Sequence, residues 1–375
     1  MVERVCTIQK HDETPMPVVN MVSVTVGGSK SHGVHTAFIQ TQEALERLGV
    51  DVRVNSRGRY DIVHHQTMGV GSFFQLMSGR DRAVVTAHVV PDLLVGSFAL
   101  APLWLPLGAA YMRAFYNLAD EVLAVSPEVG EGLKRMGVKV PVRVVPNAVD
   151  PARFQAKPGW REEMREAAGV PADAFVAICV GQIQPRKGID AFLETARAMP
   201  DVSFIWVGGM PFRRLTDHYR QMLDAVDKAP SNCHFVGEVP HDDMPKWFAA
   251  ADCLFFPSFQ EGHPFAAIEA AAAGLPLILR DIPIYELFDD AYLAGSERTF
   301  AEQIARLRDD DALRSEYARR AADLSARFDT VQLAEQLVSV YQDVLARSES
   351  ERARPARRLR PMLQWALGSG RTARR

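Results

Sequence analysis

The stretch from Asp252 to Leu279, DCLFFPSFQEGHPFAAIEAAAAGLPLIL, most constrains the fold. Its uncharged run from Cys253 to Phe256 is typical of a buried parallel strand, and Pro257 to His263 reads as a loop. Pro264 to Ala273 predicts a helix with proline in its first turn, and Leu275 to Leu279 predicts the next strand. Strand, loop, helix and strand in this order indicate a βαβ unit of a doubly wound α/β sheet.

The rest of the chain repeats this alternation. Strand-like segments are 18–26, 50–54, 61–64, 83–87, 121–125 and 142–145, with a helix over 34–48, and a second series is 175–180, 202–207, 234–236, 252–256 and 275–279. Pro146, Asn147 and Asp150 separate the two series. A chain of 375 residues is also long enough for two cores. The sequence therefore predicts two α/β, Rossmann-like domains, residues 1–150 and 151–329, that face a central cleft.

Composition and cysteine usage limit the classes of function that are possible. The net charge of −3 is close to balanced, so no attraction to nucleic acid is expected. The four cysteines show no metal-ligand spacing and lie mostly in or beside predicted strands, which favours reduced, buried thiols. The amino terminus has no apolar signal core. We therefore expect a cytoplasmic protein without a bound metal.

Two carboxylates bracket the loop and helix of the first stretch. Glu261 lies just before the predicted helix, and Glu269 lies about two turns further on. Open α/β sheets hold ligands at the carboxyl ends of their strands, and a helix amino terminus there attracts anions. We expect a phosphate-bearing ligand near residues 262–265, which include Gly262, Pro264 and Phe265, with the two carboxylates at its ends.

Glu261, seven intervening residues and Glu269, followed by Gly274-Leu275-Pro276, resemble the signature of retaining nucleotide-sugar glycosyltransferases of the GT-B fold, family 4 (glycosyl transferases group 1). The family pattern extends over residues 18–346. The resemblance implies a hexosyltransferase of the EC 2.4.1 type that acts with retention and needs neither a metal ion nor a cofactor. It also implies that Glu261 meets the transferred sugar and that Glu269 binds the ribose hydroxyls of the donor.

Two further positions gain a role from this resemblance. Gly27 and Gly28 follow the first strand, where the family has a glycine loop over the nucleotide diphosphate, although a plain turn explains two glycines about as well. His88 ends the strand-like segment 83–87 and resembles the family's cleft-facing histidine, which contacts the sugar near the reacting carbon. A lone histidine is more often structural, and we expect His64 and His65 to be so.

A cationic loop opens the second series of strands. Lys187 in Gly-Gln-Ile-Gln-Pro-Arg-Lys-Gly matches a family lysine and is expected to stabilise the leaving diphosphate. Gln182 stands where the family has an arginine, so Arg186 either replaces that arginine or is merely solvated. Gly208, Gly209 and Gly237 are expected near the nucleobase. The resemblance thus assigns His88, Lys187 and Glu261 to catalysis, and it assigns donor binding to Gly27, Gly28, Arg186, Gly262, Pro264, Phe265 and Glu269.

Residues 93–112 form a run of twenty uncharged residues, long enough to span a bilayer. Spanning is not expected, because the run lies between two strands of one sheet and because Pro102 and Pro106 should break a continuous helix. Two interpretations stay open. The run is either a buried helix and loop, or an apolar acceptor channel or in-plane membrane insertion with Trp104 at headgroup depth.

The carboxyl-terminal part bears on the same question. A helix over 330–346 is expected to cross back onto the first domain, by resemblance to GT-B enzymes. The tail 347–375 has nine arginines and two glutamates, a net charge of +7 that leaves −10 for the preceding residues. Arginines followed by Met362, Leu363 and Trp365 suit an anionic membrane surface, although a disordered solubilising tail would have a similar composition.

Taken together, these patterns look most like bacterial diacylglycerol glycosyltransferases. We expect transfer of a hexose, from UDP-glucose or UDP-galactose, to the hydroxyl of diacylglycerol by an enzyme peripherally associated with the inner face of the cell membrane. The first alternative is a glycosyltransferase with a cell-wall, exopolysaccharide or small soluble acceptor. The second, of another class, is a catalytically decayed nucleotide-sugar-binding adaptor at the membrane.

Overall fold

The computed structural model describes residues 15–26, 33–91, 101–210 and 218–347, and of residues 101–104 the backbone alone. Gly27 and Gly28 lie outside these ranges, as do residues 92–100 of the apolar run and residues 348–375 of the basic tail. The two predictions that depend on the glycine pair and on the tail therefore stay predictions.

The first half is a parallel sheet of six strands with helices on both faces. Its strands are β1 (Val19–Val22), β2 (Val52–Val54), β3 (Ile62–His65), β4 (Arg82–Ala87), β5 (Glu121–Ala124) and β6 (Val142–Val144), and its helices are α1 (Gly33–Arg47), α2 (Val70–Ser78), α3 (Ala101–Tyr116) and α4 (Pro127–Met136). The strand order is β2-β1-β3-β4-β5-β6. Buried residues of α2, α3 and α4 pack on one face of this sheet, and those of α1 on the other.

The second half repeats the plan. Its strands are β7 (Phe175–Val180), β8 (Val202–Val207), β9 (Cys233–Gly237), β10 (Cys253–Phe256), β11 (Leu277–Arg280) and β12 (Tyr292–Gly295), and its helices are α5 (Trp160–Ala168), α6 (Ile189–Ala198), α7 (Tyr219–Asp227), α8 (Met244–Ala249), α9 (Phe265–Ala272), α10 (Phe300–Asp309) and α11 (Asp311–Ala326). The order β12-β11-β10-β7-β8-β9 is again parallel throughout. The predicted α/β fold with two Rossmann-like sheets is confirmed.

The last helix, α12 (Thr330–Ala346), packs on the first sheet although it follows the second in sequence. Its buried Leu337, Tyr341 and Val344 join a core with residues of β1 and α1. The Tyr341 hydroxyl lies 2.7 Å from Nδ1 of His64 on β3. The chain thus crosses between the two sheets a second time just before this helix, where the Val149 N–H donates to the Phe328 carbonyl at 2.8 Å.

The apolar run differs from its prediction in one respect. Helix α3 continues through Pro106 instead of ending there, so the expectation that the two prolines break a continuous helix is wrong. Pro102 is in the first turn, where a missing N–H costs nothing, and Pro106 is on an exposed side, where a lost backbone bond is tolerated best. Among the helices described, none is both long enough and apolar enough to span a bilayer.

Candidate active site

A cavity of about 310 Å³ opens at the carboxyl ends of strands in the second sheet. Segments after β7, β8, β9 and β10 line most of it, and Gly33 and Thr36 at the start of α1 close it from the first half. Because the carboxyl ends of parallel strands meet at one edge, residues distant in sequence converge there. The cavity is therefore the cleft between the two halves.

Close backbone packing shapes the floor of the cavity. Gly208 has φ +133°, and a Cβ atom there would lie 2.0 Å from the Gly181 carbonyl oxygen. Its N–H donates to the Gly237 carbonyl at 2.8 Å, and the Trp206 indole donates to the Gly181 carbonyl at 2.9 Å. Only glycine fits such a position. The loops after β7, β8 and β9 are thereby fixed against one another.

A buried ion pair lies at the centre of the cavity lining. The Lys187 ammonium is 2.5 Å from Oε1 of Glu261, and these side chains are only 12% and 7% exposed. The Ser258 hydroxyl donates to the same carboxylate oxygen at 2.5 Å. Lys187 reaches this point from the loop after β7, and Glu261 from the loop after β10. The two adjacent strands thus hold opposite charges together beside the cavity.

The charge state of Glu261 follows from its neighbours. Burial alone would raise the pKa of this carboxyl, but the charges of Lys187 and Arg186 and the hydrogen bonds from Lys187 and Ser258 outweigh burial and hold the pKa below its usual value. Burial lowers the pKa of Lys187, and Arg186 adds to this while Glu261 opposes it. Glu261 is consequently a carboxylate at neutral pH.

Arg186 also lines the cavity, beside Lys187. Its Nε donates to Oε1 of Gln184 at 3.1 Å, and one terminal nitrogen donates to the Gln260 carbonyl at 3.1 Å. Gln184 in turn donates to the side-chain oxygen of Gln182 at 2.8 Å. The two glutamines orient the guanidinium toward the cavity wall. The structure therefore brings Arg186 to the cleft, where sequence alone left it undecided between cleft and solvent.

Glu269, on α9, lines the cavity with its side chain 5% exposed. Its Oε1 is 2.7 Å from Nε2 of His241, which lies between β9 and α8. Burial lowers the pKa of His241, but the hydrogen bond and charge of Glu269 outweigh burial and raise it overall. The second carboxylate thus has a basic partner whose protonated form it favours, while the first has the Lys187 ammonium.

His88 lies just after β4, at the end of the first sheet that faces the cleft. Its Nε2 is 3.0 Å from the side-chain oxygen of Gln66, and the Gln66 amide is 3.2 Å from Nε2 of His64. Burial lowers the pKa of His88 to about 4 and that of His64 to about 3, so both rings are neutral at neutral pH. His64 is bonded to Tyr341 and Thr86, which fits the predicted structural role.

The residues predicted from sequence fall into three groups. Six of them line one cavity: Arg186, Lys187, Glu261, Pro264, Phe265 and Glu269. His88 and Gly262 lie close by without lining it, and Gly27 and Gly28 are outside the described residues. Gly208 and Gly209, expected near the nucleobase, also line it. Two histidines also line the cavity: His241 was not named from the sequence, and His263 lies within the predicted phosphate region 262–265 but was given no role of its own. Both follow strands at their carboxyl ends, which was the available signal.

Metal-ligating side chains do not cluster in the part of the chain that the structure describes: no group of three or more histidine, cysteine, aspartate or glutamate residues could hold an ion there.

Comparison with known proteins gives matches in both halves. The family model for Glycosyl transferases group 1 matches residues 174–310, and that for Glycosyltransferase Family 4 matches residues 47–153. The chain is 28% identical over 339 residues to the alpha-galactosylglucosyldiacylglycerol synthase of Streptococcus pneumoniae, with 86% of this chain and 89% of that protein covered. It is 29% identical over 259 residues to the processive diacylglycerol alpha-glucosyltransferase of Acholeplasma laidlawii, with 68% and 76% covered.

Solved structures share the architecture. The Anabaena protein HepE, in complex with UDP and glucose, has a TM-score of 0.69 to this chain, at 19% identity. The match covers 87% of this chain and 99% of that one. At this level of identity the likeness shows the fold. The two family matches together cover more than half of the chain, one in each half of the cleft.

Proposed function

Because the chain belongs to the group 1 glycosyltransferases of family 4 and has the GT-B fold, we propose that it transfers a hexose from a nucleotide diphosphate sugar to the hydroxyl of a membrane lipid. The observation that carries the proposal is the buried Lys187–Glu261 pair at a cavity that also holds Arg186 and Glu269. UDP-glucose and UDP-galactose are the donors we favour, and diacylglycerol is the acceptor.

The cavity offers a separate partner for each part of such a donor. Arg186, Lys187 and the positive dipole end of α9 suit the diphosphate, since all attract negative charge. Glu261, a carboxylate, accepts hydrogen bonds from sugar hydroxyls, and Glu269 accepts them from the ribose. Gly208 and Gly209, which line the same cavity, are proposed to lie beside the base.

The reaction breaks the bond between the anomeric carbon and the diphosphate oxygen and forms one from that carbon to the acceptor oxygen. We propose attack on the same face from which the diphosphate departs, with retention of configuration. The acceptor proton then passes to a phosphate oxygen of the leaving group. Negative charge grows on the diphosphate as it leaves, so the preorganised cations Lys187 and Arg186 stabilise the transition state more than the ground state.

Glu261 and His88 act on the sugar side of the same step. The Glu261 carboxylate lies where it can steady positive charge that develops at the anomeric carbon. His88 is held through Gln66 and His64 and presents a neutral ring. No protein carboxylate is required as a nucleophile in this scheme. Protein cations do the work that a divalent ion would otherwise do at the leaving group, so the reaction is proposed to be metal-independent.

The lipid acceptor rests on two observations. The first is the pair of relatives named for diacylglycerol products or acceptors. The second is the α2–α3 surface, formed by the exposed apolar residues Val70, Phe74, Leu107 and Tyr111 on two adjacent helices of the first half. Phe74 is 63% and Leu107 80% exposed. Phe73 and Tyr111 join the helices, with ring centroids 5.5 Å apart.

We propose that this surface contacts the bilayer that contains the acceptor. Exposed aromatic and aliphatic side chains can insert into a bilayer, which buries their apolar surface. In a soluble monomer the same cluster would stay in contact with water at a cost in free energy. Arg80, just after the end of α2, is exposed and adds charge attraction to anionic lipids. This arrangement favours a peripheral position on the membrane over the soluble-acceptor alternative.

Transfer is tested by incubating the protein with labelled UDP-glucose, UDP-galactose or GDP-mannose and vesicles that contain diacylglycerol. A labelled lipid whose formation Glu261→Ala and Lys187→Ala each reduce at least a hundredfold is the expected result. Label in a soluble glycan instead of the lipid would replace the proposed acceptor. Tight UDP binding without turnover of any donor would support a decayed binding protein.

Membrane contact is tested separately by sedimentation with phosphatidylglycerol vesicles. Phe74→Glu and Leu107→Glu are expected to weaken vesicle binding at least tenfold and to leave UDP binding unchanged. Val331→Glu, on α12 and 57% exposed, is the matched control on another surface. Equal binding of all variants would contradict the proposed contact.

A further inference from the structure

His263 lies between Glu261 and the amino end of α9, and its side chain lines the cavity. Both of its ring nitrogens are inaccessible to water, and neither has a hydrogen-bond partner among the residues that the structure describes. Buried polar side chains in folded proteins nearly always have at least one partner. An unpartnered pair of nitrogens in the wall of a cleft therefore points to a ligand.

The other histidines near the cleft have partners. His88 is bonded to Gln66, His64 to Tyr341 and Thr86, and His241 to Glu269. His65 resembles His263, because its nitrogens are also buried and unpartnered within the described chain, but it packs against Phe115 and does not line the cavity. His263 is thus distinguished by its place as well as by its lack of partners.

The surroundings of the ring fix its position and its charge. It packs edge-on against Phe265 and Phe328, with centroid separations of 5.7 and 5.8 Å. Burial, with a smaller contribution from the nearby His88, lowers the pKa of His263 to about 3. At neutral pH the ring is therefore neutral, with one N–H donor and one lone pair.

A ring with one donor and one acceptor suits a hydroxyl group better than a phosphate. A hydroxyl both donates and accepts a hydrogen bond, whereas a phosphate oxygen only accepts. Charged partners for phosphate are already present in Arg186 and Lys187. Glu261, two residues before His263, is the carboxylate proposed for the sugar. Because neither nitrogen is accessible to water, the ring has to turn toward the cavity before a ligand hydroxyl can reach one of them.

We propose that His263 is a specificity-determining residue that hydrogen-bonds a hydroxyl group of the transferred sugar. This inference deepens the proposed function, since it rests on the donor being a nucleotide sugar. It predicts a contribution to binding that depends on the sugar and not on the nucleotide. Lys187 and Arg186, by contrast, would contribute to binding of the nucleotide diphosphate itself.

The test compares dissociation constants for UDP and for UDP-glucose, UDP-galactose and GDP-mannose by calorimetry, with no acceptor present. For the preferred donor, His263→Phe should weaken binding about tenfold, the loss expected for one or two hydrogen bonds, while UDP binding changes less than about twofold. His263→Gln retains a donor and an acceptor and should recover most of the affinity. His65→Phe is the matched control and should change neither constant.

Equal weakening of UDP and of the sugar donor in His263→Phe would overturn the inference, because it would indicate contact with the diphosphate. Unchanged binding of both would overturn it as well. If His263→Phe fails to fold, His263→Gln and His263→Ala are compared instead. The deciding quantity is again the loss of affinity for the sugar donor relative to the loss of affinity for UDP. A parent protein that binds UDP but none of the three sugar donors would instead overturn the proposed function.

Discussion

Replacing Lys187 by methionine removes the cation from the buried pair and leaves the Glu261 carboxylate beside Ser258 and Arg186. Methionine has a similar length and fills the same space, so the change is mainly one of charge. A buried carboxylate that loses its partner either stays charged at a high cost or takes up a proton. Proton uptake sets the upper limit of the electrostatic penalty.

The size of that limit follows from the ordinary pKa of 4.5 for this carboxyl. Neutralising such a group at pH 7 costs about 3.4 kcal/mol, at 1.36 kcal/mol for each pH unit. Arg186 remains nearby and lowers the penalty somewhat. We therefore expect Lys187→Met to reduce the free energy of unfolding by about 2 to 3 kcal/mol at pH 7. For a domain of this size the melting temperature would fall by about 4 to 12 °C.

The same reasoning fixes the sign of the pH dependence. In the parent, the pKa of Glu261 is held below its usual value, so its contribution to stability is present above pH 4.5 and is lost as the pH falls through the lowered pKa. The variant protonates this carboxyl more easily. The difference between parent and variant should thus shrink by about 1.4 kcal/mol for each pH unit below 7, as long as the carboxyl is protonated in the variant and ionised in the parent.

Urea unfolding of parent and variant at pH 7 and pH 5.5 measures this difference. Lys246→Met is the matched control, because Lys246 is paired at 3.0 Å with Asp243 on the surface and its loss should change stability little at either pH. A penalty for Lys187→Met that is the same at both pH values would refute the electrostatic account of the pair. If Lys187→Met does not lower the free energy of unfolding at either pH, the Lys187–Glu261 pair is not a buried, coupled ion pair.

Two further predictions follow from the loops around the cavity. Gly208→Ala places a Cβ atom 2.0 Å from the Gly181 carbonyl oxygen at φ +133°, so it should lower the melting temperature and weaken UDP binding at least tenfold. Gly159 also has a positive φ, but nothing lies within 4 Å of a Cβ atom there. Gly159→Ala is therefore the control and should lower stability only modestly. His241→Asn removes a charged partner of Glu269. The pKa of His241 is raised above 6.5, so its stabilising contribution of about 1 to 2 kcal/mol is complete below pH 6.5 and is lost as the pH rises through the raised pKa. Urea unfolding should therefore show a larger loss of stability for His241→Asn at pH 6 than at pH 9. A larger loss at pH 9 would contradict this.

Central strands were predictable because burial on both faces leaves a continuous apolar run. The bounds predicted for β7 and β8 agree with the structure. Strand ends and the short edge strand β12 were predicted less well. Strand β1 ends at Val22 and not at residue 26. The Ser23 hydroxyl is hydrogen-bonded to the Thr25 hydroxyl, and the Ser23 N–H donates to the Asn55 side chain instead of to a neighbouring strand. Strand β12 was missed, because it is four residues long and partly exposed.

The site was predictable where function follows from a place at a strand end. Lys187, Glu261 and Glu269 stand in loops or helices that directly follow β7 and β10, so topology alone brings them together. His241 depends on a partner 28 residues away, and the role of His263 depends on the absence of a partner. Neither relation leaves a pattern in the sequence. The position of Arg186 in the cleft could not be predicted either, because Gln182 stands where the family has its arginine. Arg186 is oriented by the Gln184 side chain, which in turn donates to Gln182.

The central claim is that protein cations, chiefly Lys187, stabilise the leaving diphosphate in the cleft. The most direct measurement is the rate of sugar transfer from labelled UDP-glucose to diacylglycerol vesicles by the parent and by Lys187→Met, each with and without excess EDTA. We expect a parent rate that EDTA leaves unchanged and a variant rate at least a hundredfold lower. A parent rate abolished by EDTA, or a variant as fast as the parent, would contradict it.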